Sequence, residues 1–139
     1  MRRVAARFTP LARLAEAPCP RSSHGVSAIN KRLYVFGGES TARTPIDSSC
    51  HVLDVEQQTW HCVSGGSCSP PPRVGHAQAV VGTSLLIFGG RTGVQMGEQP
   101  LNDMWSLNTK TEVWEEQQHK GDVPSPRSFH RMSFEPRSF

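Results

Sequence analysis

The sequence aligns with itself. CPRSSHGVSAINKRLYVFGGE, starting at Cys19, matches PPRVGHAQAVVGTSLLIFGGR, starting at Pro71, and the pairs Arg21–Arg73, His24–His76 and Gly37–Gly89 are each 52 positions apart. A third copy opens at SPRSFHRM, where Arg127 and His130 fall 54 positions beyond Arg73 and His76, and Trp60 and Trp114 share that spacing. Self-similarity at such a period means a supersecondary unit that buries its apolar face only by stacking on a copy of itself. Each Trp stands 12 residues before the proline of the next Pro-Arg pair, and 12 residues before Pro20 stands Phe8. Residues 6–14 are therefore a candidate last strand of another unit.

Within a unit, four short segments read as strands. HGVSAI and HAQAVV come first, RLYVFGG and SLLIFGG second, HVLDV and DMWSLN third, TWHCV and EVWEEQ fourth. The second pair is apolar enough for burial on both faces, and NK, VGTS, DVEQQ and NTKTE supply turn residues between strands. The 12 Gly and 11 Pro in 139 residues fit a turn-rich chain with little helix. Four antiparallel strands repeated every ~50 residues describe an all-β propeller blade.

A strand ending in Gly-Gly, then an acidic or amide residue in the third strand (Asp54, Asn108) and a Trp opening the fourth, resemble the kelch repeat from about Phe8 to Met132. The resemblance implies a partial kelch β-propeller. It divides into an N-terminal segment 1–17 able to close another blade, repeat one at 18–69, repeat two at 70–123, and the start of a third at 124–139. Rings of this kind close with roughly four to eight blades, and SFEPRSF follows where another apolar strand belongs. The expectation is a fragment or truncated product of a longer protein, able to self-associate through open blade edges.

Blade geometry also explains Gly37, Gly38, Gly89 and Gly90, because backbones that crowd toward an axis leave no room for a Cβ. A phosphate cradle is excluded, since neither GxGxxG nor GxxxxGK[ST] opens a helix. Trp60 and Trp114 are expected to cover seams between blades, with the Arg and His that open each first strand hydrogen-bonding across them.

Charge narrows the function classes. The formal net charge of +3 comes from dispersed basic residues, which argues against nucleic acid. No run approaches the roughly 18 apolar residues of a membrane helix. Cys19, Cys50, Cys62 and Cys68 contain no CxxC pair, so reduced thiols in a cytoplasmic protein are expected rather than zinc. The Arg-rich start, MRRVAARF, is the mitochondrial alternative.

Meander topology puts the loops after the second strands, ESTARTPIDSS and RTGVQMGEQP, on the same face as the Pro-Arg segments. Long, polar and unlike each other, these loops are the expected recognition surface. Glu39, Arg43, Asp47, Arg73, Arg91, Glu98 and Asp103 are its candidate binding residues, for a protein partner or a small anionic ligand.

PRSSHGV, LYVFGGE and PID in the first blade, with PPPRVGHAQAVVG and FGGR in the second, resemble plant nitrile-specifier and thiocyanate-forming kelch proteins and their non-specialised relatives. That resemblance implies an Arg after Gly-Gly, here Arg91, holding the sulfate of a glucosinolate-type aglycone, with Fe(II) on a later blade. The iron triplet, Glu, Asp and His four apart, is absent from this sequence. Glu115 and His119 lie on a strand and its turn, where a four-residue spacing brings nothing together. No Ser/His/Asp or Cys/His arrangement replaces it, as repetition accounts for His24, His76 and His130. The sequence therefore favours a non-catalytic interaction module without metal or cofactor, and a piece of a specifier-like Fe(II) enzyme is the alternative.

Overall fold

A computed structural model describes residues 6, 7, 9, 14–65, 68–93 and 95–135. Apolar alternation and turn chemistry produce ten strands and, among the described residues, no helix: β1 (Gly25–Ile29), β2 (Arg32–Phe36), β3 (Glu39–Thr41), β4 (Thr44–Pro45), β5 (Cys50–Asp54), β6 (Thr59–Val63), β7 (Ala77–Val81), β8 (Ser84–Gly90), β9 (Leu101–Asn108) and β10 (Val113–Gln117). Two antiparallel sheets, β1-β2-β5-β6 and β7-β8-β9-β10, each have the meander order of a propeller blade. All eight strands read from the sequence form. The strand expected around Phe8 lies outside the described residues, as Phe8 and residues 10–13 are not among them.

The turns explain the register. Asn30 and Lys31 both adopt left-handed φ, 48° and 64°, which suits a two-residue hairpin to the twist of its strands. The Asp54 carboxylate accepts the amides of Glu56 and Gln57, and Asn108 Oδ1 accepts those of Lys110 and Thr111. The acidic or amide residue of the third strand is thus the turn-maker at its end.

The core lies in the seam between the sheets. Tyr34, Phe36, Cys50 and Val52 from the first blade meet Leu85, Ile87, Leu107 and Trp114 from the second, the two-residue alternation of each strand selecting one face. Trp114 lies in this seam, its ring centroid 5.2 Å from that of Phe36. Burial in this apolar layer pushes the Cys50 thiol pKa up to about 12.

Nearer the axis the seam is closed by main chain. Gly38 N donates to Arg73 O at 2.9 Å, and Gly90 N repeats the bond to Arg127 O at 2.9 Å. A Cβ on Gly37 would stand 2.5 Å from Arg73 O, and one on Gly89 2.6 Å from Arg127 O. The paired glycines are therefore where backbones of successive repeats touch.

Two details differ from the sequence reading. The loop after β2 contains the β3–β4 hairpin, paired Glu39 to Pro45 and Thr41 to Thr44, because its polar Thr/Ser run carries no apolar alternation to reveal it. The blade-opening side chains also do not hydrogen-bond across blades. Arg73 bonds within its own blade, and His76 packs by its ring edge on Phe36, centroids 5.5 Å apart, with neither ring nitrogen hydrogen-bonded.

Candidate functional site

The loop face is built on arginine anchors. In the second blade, fully buried Arg73 donates from Nη1 to Gly89 O (3.0 Å) and Asp103 Oδ1 (2.7 Å), and from Nη2 to Asp103 Oδ2 (2.7 Å). Trp105 Nε1 donates to the same carboxylate at 2.8 Å. Burial alone would raise the Asp103 pKa, but the Arg73 fork and the Trp105 N–H outweigh it and hold the group below the usual carboxylate range. The first blade repeats the device with altered parts. Arg21 donates to Gly37 O at 3.1 Å, but ladder register makes Ser49 the counterpart of Asp103, and Asp47 reaches in from the loop at 3.5 Å instead. His51 stands where Trp105 does, its Nε2 3.6 Å from Asp47.

This placement alters the expected face. Arg73 and Asp103 form a buried fork at the root of the loop rather than open charges, because the carbonyl of Gly89 and the carboxylate draw the guanidinium inward. Asp47 is engaged with Arg21 and the Ser49 amide. Glu39 accepts Ser23 Oγ (2.9 Å) and the Arg43 amide (2.6 Å), bracing the hairpin. Glu98 accepts the amides of Thr92 (3.1 Å) and Gly93 (2.6 Å), bracing the second loop. The carboxylates are thus scaffold, and Arg43 and Arg91 remain: neither guanidinium joins an ion pair among the described residues, and Arg91 Nε is buried without a partner.

Arg43 and Arg91 meet across the seam. They line a cleft of about 240 Å³ with Glu39, Ala42, Val74, Gly93 and Phe129. Of the seven candidates, Glu39, Arg43 and Arg91 come together here, whereas Asp47, Arg73, Asp103 and Glu98 support the walls. Phe129 escaped sequence reasoning, although aligning the repeats shows the signal: it is a bulky residue where the other copies have Ser23 and Gly75. Trp60, the counterpart of Trp114, is partly buried at the start of β6 opposite Leu53.

The family model described as "KLHDC2/KLHL20/DRC7 Kelch-repeats domain" matches residues 7–138. The chain belongs to the kelch-repeat family. Among kelch relatives, a Thlaspi arvense protein named N-(sulfonatooxy)prop-2-enimidothioate sulfolyase is 36% identical over 122 residues, covering 85% of this chain and 34% of that protein. Acyl-CoA-binding domain-containing protein 4 of Arabidopsis thaliana is 33% identical over 81% of this chain and 16% of its own length, and the Arabidopsis serine/threonine-protein phosphatase BSL2 is 34% identical over 86% and 12%. The chain thus spans about a third or less of the relatives it matches. Iron, which the specifier resemblance implies, does not fit the kelch blades described here: among the described residues no three His, Cys, Asp or Glu side chains are grouped to hold a metal ion.

Proposed function

We propose that the chain is a non-catalytic kelch interaction module that binds a protein partner through the loop face around Arg43 and Arg91. One observation carries the reading: every other candidate charge of that face is held within the scaffold, leaving two arginines at a cleft that crosses the seam. Rigid blades with adaptable loops suit recognition, as a preorganised surface loses little entropy on binding. The reading requires no cofactor. It suits a cytoplasmic setting, in keeping with four cysteines that form no disulfide.

The test is site-specific photocrosslinking. A benzophenone side chain at Met96, which is 84% exposed on the loop face, should capture protein partners, and one at Val55, 48% exposed on the opposite turns, should not. Adducts confined to Val55, or none from either position, would refute the assignment.

A second reading has one observation in its favour, the 36% identity to the Thlaspi arvense sulfolyase together with Arg91 directly after Gly-Gly. Here the chain is part of a specifier-like Fe(II) enzyme, Arg91 holds a sulfated substrate, and iron ligands come from outside the described residues. Further blades carrying Glu, Asp and His four apart, with stoichiometric Fe(II) binding by a protein that includes them in an anaerobic titration, would support it, and blades without that triplet would count against it.

A further inference from the structure

The arginine that opens the third repeat is seated like its counterparts but paired differently. In each copy this arginine donates from Nε to the carbonyl two residues back: Arg21 to Cys19 O at 3.2 Å, Arg73 to Pro71 O at 3.2 Å and Arg127 to Ser125 O at 3.0 Å. In the first two copies Nη2 then donates to a carboxylate, Asp47 Oδ2 at 3.5 Å and Asp103 Oδ2 at 2.7 Å. In the third the same nitrogen donates to the Ser125 hydroxyl at 3.2 Å. Arg127 joins no ion pair among the described residues. Its main chain is nonetheless fixed on the second blade, since Arg127 N donates to Leu101 O at 3.1 Å and Arg127 O accepts Gly90 N at 2.9 Å.

We propose that Ser125 is a phosphorylation site, and that its phosphate gives Arg127 the anion that Asp47 and Asp103 give Arg21 and Arg73. A phosphoserine carries about −1.5 to −2 charges at pH 7 and three acceptor oxygens, which suit a guanidinium fork. Lys120, Arg127 and Arg131 outnumber Asp122 along this segment, so the added charge meets more attraction than repulsion. Presentation singles the residue out among the Ser/Thr-Pro pairs whose two residues are both described. Thr44 precedes Pro45 inside the β3–β4 hairpin, paired with Thr41. Ser69 precedes a fully buried Pro70 and lies so close to Gly65 that a Cβ there would collide with it. Residues 121–127, by contrast, are all exposed, and among the described residues no main-chain hydrogen bond holds 121–126. Pro126 biases Ser125 to extended backbone, which a kinase cleft takes without opening the blade. The donor is a nucleoside triphosphate and the catalyst a proline-directed serine/threonine kinase. Ser125 Oγ bonds the γ-phosphorus, the bond from that phosphorus to the bridging oxygen breaks, the nucleoside diphosphate departs, and the hydroxyl proton passes to the kinase. The site stands independently of the loop face as an interaction surface.

The whole chain, with Thr9→Ala to remove the one further Ser/Thr-Pro pair, would be incubated with a purified proline-directed kinase and ATP, and the sites mapped by mass spectrometry. Ser125 should be modified at least about tenfold faster than Thr44 and Ser69, which must first open locally. Hydrogen exchange reads the pairing. With phosphoserine incorporated genetically at 125, the Gly90 and Arg127 amides should exchange about threefold more slowly, as an exposed charge pair allows, and Arg127→Gln should erase that gain. Preference for Thr44 or Ser69, or no phosphate on Ser125 of the folded chain, overturns the site. Exchange unchanged by phosphoserine, or slowed equally in Arg127→Gln, overturns the pairing with Arg127.

Discussion

Acid should loosen the seam through His76. Its imidazole is 7% exposed, packs edge-on against Phe36 and has no hydrogen-bond partner at either nitrogen. Burial first, then the charge of Arg73, lowers its pKa from 6.5 to about 4 against an opposing effect of the neighbouring Gln78 amide, with His24 and His130 adding to the depression. The folded value lies below the unfolded one, so between them the unfolded chain holds the extra proton. The stabilisation is therefore complete above pH 6.5 and is lost as the pH falls toward 4. At about 1.4 kcal/mol per pH unit the full loss is about 3 kcal/mol. At about 3 °C per kcal/mol for a chain this size, Tm should drop by about 10 °C. Thermal melts of the wild type and His76→Gln across this range would measure it. His130, whose pKa burial also lowers, leaves the variant a residual slope of the same sign. An unchanged slope in His76→Gln, or an NMR titration of His76 at its ordinary pKa, would refute the reasoning.

Gly38→Val and Gly90→Val should each unfold or aggregate the protein, because a Cβ there would stand 2.7 Å from Ser22 O and 2.8 Å from Val74 O, whereas Arg91→Ala should melt within about 2 °C of wild type; equal losses in urea titrations would make Arg91 structural. Arg73→Met should cost about 3 kcal/mol by leaving the Asp103 carboxylate without its fork, and a urea midpoint unchanged by that variant would disprove the anchor. In native protein a thiol reagent should label Cys19, Cys62 and Cys68, which are exposed, and spare Cys50 until denaturant is added; rapid native labelling of Cys50 would contradict its burial.

The fold was legible because repetition multiplies weak signals. A single LYVFGG is ambiguous, but LLIFGG 52 positions later makes an architectural reading of the glycines available, and Gly38 and Gly90 donate across to the next repeat. The site was only half legible. Sequence shows which charges a loop contains and not which of them the loop consumes, so Glu39 and Glu98 looked like ligands although they brace their own backbones. Arg73 and Asp103, 30 residues apart, meet only through the β8–β9 ladder. The replacement of Asp103 by Asp47 in the first blade depends on a loop path that no local propensity encodes.

The residues after each Gly-Gly, Glu39 and Arg91, are held in place by main chain on both sides, in reciprocal bonds with Ser22 and Val74. Those bonds involve no side-chain atom, so the path of the blade itself does not depend on which side chain stands there, although the Glu39 carboxylate also braces its own hairpin. Each turn of the repeat thus offers one rewritable letter at a fixed address, and a propeller assembled from such turns could change what it reads by substitution at those addresses while its architecture stays the same.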